Sequence, residues 1–202
     1  MLVGIRKRVL KASLELSRLQ MAKGTSGNLS AKDPQTGLIA ITPSGIPYES
    51  LEPEDITLID QNGKVVNGNR LPSSETPMHT AIYRLCPEVF GIVHTHSVYA
   101  TVFSVLNREL PVVTIPLAAP GPVPVLEFQL PGSTELAEQV AECLEHRKKA
   151  ALLQNHGAIC ANNTVEKALQ DAVYLEEGAQ VAYLALLAGE LNPIPAKHAA
   201  KI

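Results

Sequence analysis

The first twenty residues carry apolar side chains at the spacing of an amphipathic helix: Ile5, Val9, Ala12, Leu16 and Leu19. Residues three or four apart lie on one face of a helix, so this stripe predicts a helix that packs against a core. Gly24 stands where a helix C-cap is expected, because glycine takes the left-handed backbone conformation without strain. The chain is therefore predicted to open with a helix.

Short apolar runs follow, each bounded by turn residues. Residues 38–42, 56–60 and 64–66 are rich in Ile, Leu or Val, which is typical of strands. The last two runs flank the dipeptide Asn62-Gly63, a strong signal for a tight hairpin turn. We therefore predict a β-hairpin that spans residues 56–66.

From about residue 74 onward, predicted helices and strands alternate. Helices are expected over 74–86, 98–106, 133–147 and 164–189, and strands over 90–93, 112–115, after the Pro- and Gly-rich stretch 116–124, and over 150–153. Asn163 and Glu166 resemble a capping box for the last helix. This alternation favours a mixed α/β sandwich. Because no repeat or linker divides the chain, a single domain over residues 1–202 is predicted.

Composition narrows the classes of function. The 202 residues are 46% hydrophobic and 18% charged, with a formal net charge of −3, so the chain lacks the basic footprint of a protein that binds nucleic acid or an anionic membrane. Residues 1–8 lack a signal peptide's apolar stretch, and no run approaches the roughly 18 apolar residues of a membrane span. Cys86, Cys143 and Cys160 form no Cys-x-x-Cys pair, which favours free thiols. These features favour a cytoplasmic protein.

Three histidines follow apolar runs that read as strands. His94 and His96 come directly after Gly91-Ile92-Val93, and His156 follows the run 151–154. In an extended backbone, residues i and i+2 point to one face, so His94 and His96 can reach one metal ion. Two strand ends can place three imidazoles at one sheet edge. Three nitrogen ligands with an open position describe a catalytic site for a divalent metal, most often zinc.

A carboxylate and a fourth histidine lie on the helix predicted from residue 74. Glu75 opens this helix, where an acid ordinarily only favours the helix dipole. Next to a bound metal the same carboxylate can carry a proton during carbanion chemistry, or act as a displaceable ligand. His79 follows four residues later, so it stays open as a possible fourth ligand.

Three short segments are rich in glycine and hydroxyl side chains: residues 24–28, 42–45 and 73–74. Alone, each of the first two reads as a simple turn. Together they supply many neutral donors, and the third lies at a helix start, where the dipole favours an anion. We interpret them as a binding site for one phosphate of a small metabolite.

Five motifs in this order resemble those of the class II aldolase/adducin family. They are Gly24-Thr25-Ser26-Gly27-Asn28, Thr42-Pro43-Ser44-Gly45-Ile46-Pro47-Tyr48, Pro72-Ser73-Ser74-Glu75, His94-Thr95-His96 and Gln154-Asn155-His156-Gly157. The likeness extends to residues 104–108 and 165–169 and covers nearly the whole chain. Such an ordered set is more specific than any single motif.

The resemblance implies a three-layer α/β/α sandwich around a mixed central β-sheet, assembled as a homotetramer with active sites between subunits. It further implies an aldolase that depends on zinc, or on cobalt or manganese, and forms no Schiff base. Such an enzyme cleaves L-fuculose 1-phosphate or a related ketose 1-phosphate to dihydroxyacetone phosphate and an aldehyde, through a metal-stabilised enediolate.

The family's functional residues carry over by matching positions. His94, His96 and His156 are expected to bind the metal, and Glu75 is expected to be both a resting-state ligand and the catalytic acid/base. The residues expected around the substrate phosphate are Thr25, Gly27, Asn28, Ser44, Gly45, Ser73 and Ser74.

Two features of the family's pattern are missing from this chain. A tyrosine that helps to protonate the aldehyde-side oxygen falls at Ile115, and no tyrosine follows Tyr183 in the C-terminal tail. Both losses affect the aldehyde half of the substrate and leave the metal and phosphate half intact. The pattern therefore favours ketose-phosphate aldol chemistry more strongly than one particular sugar.

Other functions stay open at this point. Within the family these are a pentulose-5-phosphate 4-epimerase, a methylthioribulose-1-phosphate dehydratase, and an aldolase for 5-deoxy or methylthio pentulose 1-phosphates, whose apolar tail would suit Ile115. A non-catalytic, adducin-like interaction module is a further class, but it has no reason to keep an open metal site. A Schiff-base aldolase needs a desolvated lysine, whereas Lys148, Lys149 and Lys167 lie in polar contexts.

Overall fold

The structure is a computed structural model that describes residues 1–146 and 148–202. Its strands are β1 (Asn28–Lys32), β2 (Ile39–Ile41), β3 (Thr57–Ile59), β4 (Val65–Asn67), β5 (Gly91–Thr95), β6 (Val125–Leu126), β7 (Ala150–Leu153) and β8 (Gly157–Asn162). Its α-helices are α1 (Val3–Arg18), α2 (Thr76–Leu85), α3 (Val98–Val105), α4 (Thr134–Glu145), α5 (Val165–Ala188) and α6 (Ala196–Ala199).

The strands form one mixed sheet in the order β4-β3-β2-β1-β5-β8-β7-β6. Only the pair β6 and β7 is parallel, and the other neighbours run antiparallel. Strand β5 is buried along its whole length near the middle of the sheet. The residues that follow it therefore leave the sheet from its most enclosed part.

Two hydrophobic clusters cover the two faces of the sheet. Val93 of β5 packs in a cluster with apolar residues of α1, α3 and α5. Its neighbour Ile92 belongs to the opposite cluster, with α2 and α4. Alternate residues of a strand point to opposite faces, so the helices form two layers on either side of the sheet. This arrangement confirms the predicted three-layer sandwich.

Most of the predicted elements are present, including the hairpin. Strands β3 and β4 pair antiparallel, and the turn is closed by the Gly63 N–H, which donates to the Asp60 carbonyl at 3.0 Å. The predicted end of the fourth helix at Arg147 lies outside the described residues, and α4 is observed to Glu145. Among residues 1–146 and 148–202, no helix combines the length and apolar character needed to cross a bilayer.

The strand predicted over 112–115 is wrong. This stretch is irregular and leads into a short 3₁₀ turn at Pro116–Ala118. Pro111 and Pro116 bracket it, and proline donates no backbone hydrogen bond to a neighbouring strand. The Val112 carbonyl instead accepts a hydrogen bond from the Ile194 N–H at 2.8 Å, so this stretch holds the C-terminal segment.

The expected ends of the first and last long helices need correction. Helix α1 ends at Arg18, so Gly24 lies in a later turn and is not its C-cap. The N-cap of α5 is Thr164, whose hydroxyl accepts a hydrogen bond from the Lys167 N–H. The capping box that involves Asn163 is wrong because the Glu166 carboxylate binds Arg8 at 2.7 and 2.8 Å.

Sequence reasoning missed strands β1 and β8 and the short helix α6. Strand β1 is short and its start overlaps the Gly-rich segment 24–28, although Leu29 and Ala31 do alternate with the polar residues Asn28, Ser30 and Lys32. Asn28 and Ser30 are nevertheless buried, because β1 lies between β2 and β5. Their side chains are used by the site described below. The organisation of residues 1–202 as one domain stays a prediction.

Candidate active site

Three imidazole rings meet at the edge of the sheet where β5 ends. The Nε2 atom of His94 lies 3.0 Å from Nε2 of His96 and 3.2 Å from Nε2 of His156. The three ring centroids are 4.7 to 4.9 Å apart. His94 is buried, and the other two rings are partly accessible. The structure thus brings together the three histidines that were singled out in the sequence.

Sheet topology explains why residues so distant in sequence meet. Strand β8 lies between β5 and β7 and runs antiparallel to both, so the end of β5 and the turn from β7 to β8 share one edge. His156 lies in this turn, where its N–H donates to the Leu153 carbonyl at 3.0 Å. Asn155 takes the left-handed conformation with φ of 57°, which asparagine tolerates better than most residues.

The buried histidine has a defined tautomer. His94 Nδ1 lies 3.0 Å from the Ala158 carbonyl oxygen, which can only accept, so Nδ1 carries the proton. The Nε2 atom therefore presents a lone pair to the other two rings. Burial lowers the pKa of His94 to about 4 and also lowers the pKa of His96. Both rings are neutral at pH 7, which is the form that binds a metal.

Glu75 lies beside this cluster at the start of α2. Its Oε2 atom is 3.1 Å from His94 Nε2, and its Oε1 atom is 3.5 Å from His156 Nε2. Burial raises the pKa of Glu75, whereas a hydrogen bond from Asn28 and positive charge on His94 or His156, when either ring is protonated, lower it, and the net shift is downward. Glu75 is therefore ionised at neutral pH. Because His94 is neutral there, their contact is not an ion pair.

The donor set fits a divalent metal ion. A tetrahedral zinc bound by two imidazoles at about 2.1 Å places their nitrogens about 3.4 Å apart, close to the 3.0 and 3.2 Å between the rings here. Within residues 1–146 and 148–202, Glu75 Oε1 is buried and receives no hydrogen bond. A buried carboxylate oxygen without a donor is costly, and a cation would compensate it. The group of His94, His96 and His156 can therefore hold a metal ion.

His79 is not a fourth member of this cluster. Its Nδ1 atom lies 2.6 Å from Ser30 Oγ, and its Nε2 atom lies 2.6 Å from Asn28 Oδ1. Both ring nitrogens are thus engaged away from the three imidazoles. The alternative of a fourth histidine ligand, which the sequence left open, is removed by this geometry.

The three segments predicted to bind phosphate converge next to Glu75. The Tyr48 hydroxyl donates to the Ser26 carbonyl at 3.2 Å, which links the first loop to the second. The Ser73 N–H donates to the Thr42 carbonyl at 3.0 Å, which links the second loop to the third. Asn28 connects the first loop to Glu75, because its side-chain amide donates to Glu75 Oε2 at 2.8 Å.

The free donors of these loops can be told from the occupied ones. The N–H groups of Ser44 and Ser73 donate to the carbonyls of Leu71 and Thr42. The adjacent N–H groups of Gly45 and Ser74 have no acceptor within the part of the chain that the structure describes. The side chains of Thr25, Ser44 and Ser74 belong to exposed residues. These groups are available to an anion, whereas the Asn28 side chain gives one N–H to Glu75 and its oxygen to His79, which leaves its second N–H.

Sequence reasoning missed Glu176, which holds the helix that follows His96. The Ser97 side chain at the N-cap of α3 makes no capping hydrogen bond. Instead, the Glu176 carboxylate accepts from the N–H groups of Tyr99 and Ala100 at 2.9 and 2.8 Å. This carboxylate does the work of a capping side chain from a separate helix, 77 residues away from Tyr99. No local pattern signals such a contact.

We expect Glu176→Ala to lower the free energy of unfolding by about 1–2 kcal/mol, the cost of losing a helix cap. The loss should also loosen His96, which lies just before α3. Urea unfolding of the purified protein measures the effect, with the exposed neighbour variant Glu177→Ala as the matched control. Equal stability of the two variants would contradict the capping role.

Gly157 lies against the end of β5, beside the imidazole cluster. A Cβ atom at this position would lie 2.1 Å from the Thr95 carbonyl oxygen and 3.3 Å from His96 Cδ2. We therefore expect Gly157→Ala to cost about 1–3 kcal/mol in unfolding free energy, because backbone must move to relieve the clash. The control is Gly189→Ala, where a Cβ atom meets nothing within 4 Å. Thermal unfolding that ranks the two variants equally would contradict the tight packing.

With this geometry established, comparison with known proteins identifies the class. The sequence profile of the Class II Aldolase and Adducin N-terminal domain matches residues 7–183. The chain therefore belongs to the class II aldolase and adducin family, as its motifs predicted.

Individual proteins show which members of the family this chain is similar to. L-fuculose phosphate aldolase of Escherichia coli (strain K12) is 42% identical over 191 residues, which cover 94% of this chain and 86% of that protein. The 5-deoxy-D-ribulose 1-phosphate aldolase of Bacillus thuringiensis serovar kurstaki is 38% identical over 176 residues, which cover 87% of this chain and 82% of that protein. A solved structure of L-fuculose 1-phosphate aldolase matches with a TM-score of 0.93 and 34% identity, covering 98% of this chain and 93% of the other.

Proposed function

We propose that this chain is a zinc-dependent aldolase that cleaves a ketose 1-phosphate, L-fuculose 1-phosphate or a related sugar, to dihydroxyacetone phosphate and an aldehyde. Cobalt or manganese are the other candidate ions. The observation that carries the proposal is the meeting of three imidazole nitrogens and a carboxylate beside loops with free N–H groups. The likeness to aldolases of sugar 1-phosphates supports the same chemistry.

The three histidines and Glu75 have separate roles in the proposed reaction. His94, His96 and His156 would hold the ion, with Glu75 beside it as a resting-state ligand. When bound, a divalent ion supplies Lewis-acid stabilisation of negative charge on substrate oxygens. Glu75 is the proposed catalytic acid/base: it holds or releases the proton on the carbon that becomes part of dihydroxyacetone phosphate.

The loops bind the phosphate in this proposal. Neutral N–H and hydroxyl donors at a helix start suit an anion because the helix dipole adds to their hydrogen bonds. The proposed set keeps the residues carried over by the resemblance: Thr25, Gly27, Asn28, Ser44, Gly45, Ser73 and Ser74. For Asn28, one side-chain N–H binds Glu75 and the side-chain oxygen binds His79, so the second N–H of the amide is the group left for a phosphate contact.

A direct assay tests the proposed reaction. Zinc-loaded protein is incubated with L-fuculose 1-phosphate, and release of dihydroxyacetone phosphate is followed by a coupled dehydrogenase. We expect one dihydroxyacetone phosphate per substrate consumed, loss of activity with a chelator, and recovery on adding zinc. A stereoisomer without dihydroxyacetone phosphate would indicate an epimerase, and loss of water would indicate a dehydratase. Metal-loaded protein that converts no ketose phosphate would favour the interaction module.

A substrate with an apolar tail is the second candidate. The cleft next to the imidazole cluster has a volume of about 450 Å³ and is bordered by His96, His156 and apolar side chains of α3 and its C-cap, including Val102 and Leu106. Ile115 is 66% exposed and offers no proton donor. The apolar border of the cleft suits the tail of a 5-deoxy or methylthio pentulose 1-phosphate. Higher kcat/KM for such a sugar than for L-fuculose 1-phosphate would support this assignment, and the reverse order would overturn it.

The proposal includes assembly as a homotetramer with active sites between subunits, in the cytoplasm. Along α5, the apolar side chains of Val181, Leu184 and Leu187 are exposed at three-residue spacing, which is typical of a face that another protein surface covers. The buried free thiols of Cys86 and Cys160 suit a reducing compartment. Light scattering should give about four times the chain mass of 21.6 kDa, and a single-chain mass would contradict the tetramer.

A further inference from the structure

A chain of buried hydrogen bonds leads from Glu75 into the protein core. Asn28 Nδ2 lies 2.8 Å from Glu75 Oε2, and Asn28 Oδ1 lies 2.6 Å from His79 Nε2. His79 Nδ1 lies 2.6 Å from Ser30 Oγ, which in turn lies 2.8 Å from the Tyr83 hydroxyl. All five residues are buried, and His79 and Ser30 are fully so. The roles described so far leave Ser30, His79 and Tyr83 unused.

With Glu75 ionised and His79 neutral, one set of donors satisfies this whole chain. An ionised Glu75 can only accept, so the Asn28 amide nitrogen must face it and Oδ1 must face His79. His79 Nε2 then carries the proton and donates to Oδ1. A neutral ring with Nε2 protonated has a bare Nδ1, which accepts from the Ser30 hydroxyl. Ser30 oxygen accepts from the Tyr83 hydroxyl, so every member finds its partner.

The His79 ring is neutral near pH 7, which keeps the direction of these hydrogen bonds fixed. Burial lowers the pKa of His79 to about 3. In a doubly protonated ring, Nδ1–H would donate to Ser30 and the hydrogen bond to Tyr83 would reverse, but burial disfavours this charged form. His79 therefore acts as a fixed donor and not as a proton reservoir.

The tautomer of His79 and the orientation of Asn28 are coupled. If the amide turned over, its oxygen would face the Glu75 carboxylate, and its NH₂ group would face the Nε2–H of His79. Both contacts would be repulsive, and relief of the second would require the proton to move to Nδ1 and the Ser30 hydroxyl to turn and donate to Tyr83. The Nε2–H of His79 and the Glu75 carboxylate thus favour the same orientation of the amide.

This hydrogen bonding makes the two oxygens of Glu75 different. Oε2 is held by Asn28 at 2.8 Å, whereas Oε1 receives no hydrogen bond within residues 1–146 and 148–202. A carboxylate oxygen that accepts a strong hydrogen bond is the less basic of the two. The free oxygen is therefore the better site for a proton.

We propose that His79 is a positioning residue that acts through Asn28: it holds Oε2 of Glu75 and leaves Oε1 as the oxygen that takes and returns the substrate proton. The role of Oε1 rests on the proposed function, whereas the tautomer of His79 and the hydrogen bond from Asn28 to Oε2 do not. No covalent bond changes at His79 itself.

Two substitutions separate positioning from simple packing. His79→Leu removes the donor to Asn28 and keeps much of the side-chain volume. His79→Gln restores an N–H donor near the place of Nε2. We expect kcat to fall about 10–100-fold in His79→Leu, the usual range for a residue that orients an active-site group. KM and metal content should change little, and His79→Gln should recover most of the loss. The matched control is His198→Leu, at an exposed histidine, which should leave the rate unchanged.

A second readout does not depend on activity. Nitrogen-15 NMR of the metal-free protein, with histidine labelled, reports which nitrogen of His79 carries the proton. We expect Nε2 to be protonated in the wild type, and loss or shift of the Asn28 side-chain amide signals in His79→Leu. A protonated Nδ1, or an unchanged rate in a folded and metal-loaded His79→Leu, would overturn the proposal. Equal rates in the Leu and Gln variants would also overturn it.

The NMR result distinguishes this proposal from the proposed function. If the wild type cleaves no ketose phosphate, the aldolase assignment fails and the role of Oε1 fails with it. The tautomer of His79 still tests whether Asn28 is held against Glu75. If His79→Leu does not fold, the tautomer and the rate of His79→Gln decide the matter: a rate close to wild type supports the donor role, and a 10-fold loss opposes it.

Discussion

Replacing Glu75 with glutamine lowers the rate of aldol cleavage by about 10²–10⁴-fold, the range that general acid–base groups contribute, and leaves the metal content unchanged. Glutamine matches the shape of glutamate, and its oxygen can still accept the Asn28 hydrogen bond seen at 2.8 Å. It cannot take up a proton from carbon. Because the three imidazoles remain, the ion should remain bound.

Steady-state rates at equal metal loading measure this effect. The matched control is Glu142→Gln, at an exposed position of α4, which should leave kcat unchanged. If Glu75→Gln kept the wild-type rate with metal fully loaded, Glu75 would not be the acid/base. If the variant lost its metal, the carboxylate would be a required ligand and the rate would not report on proton transfer.

We expect His156→Ala to weaken metal binding by at least about 100-fold, because residues that only orient a ligand already cost up to that much when removed. The side chain of His156 is 10% exposed and lies in a turn, so its removal leaves the core of the sheet intact. His94 is fully buried, and its replacement would mix loss of a ligand with loss of packing. His156 is therefore the cleaner test.

Competition with a chelating dye gives the metal affinity of each variant. The matched control is His198→Ala, where an exposed histidine is removed from α6. Both variants should unfold at temperatures close to that of the wild-type apoprotein. Wild-type affinity in His156→Ala would show that the imidazole cluster is not the metal site.

Sequence patterns predicted those parts of the fold whose signal is local. Helix α1 and the hairpin of β3 and β4 follow from apolar spacing and from Asn62-Gly63. Strand β1 alternates polar and apolar residues and was within reach of the same reasoning. The burial of its polar residues Asn28 and Ser30 was not, because it depends on the strands on either side. The stretch 112–115 was predicted as a strand in error: Val112 is buried and Val113 packs against the core while Ile115 is exposed, and Pro111 and Pro116 flank the stretch and prevent strand pairing.

The candidate site was predictable where one motif carries the chemistry. His94 and His96 are two residues apart at the end of an apolar run, and His156 precedes a glycine whose close contact with Thr95 leaves no room for a side chain. The hydrogen bonds that Glu176 accepts from α3 and the hydrogen-bond chain through His79 were not predictable. Both depend on pairs of residues brought together only by packing.

Anomalous X-ray diffraction at the zinc edge, on crystals of zinc-loaded protein, tests the central claim most directly. The account predicts one strong peak about 2.1 Å from Nε2 of His94, His96 and His156, with the Glu75 carboxylate beside it. A peak elsewhere in the molecule, or a metal bound by fewer than two of these imidazoles, would contradict the account.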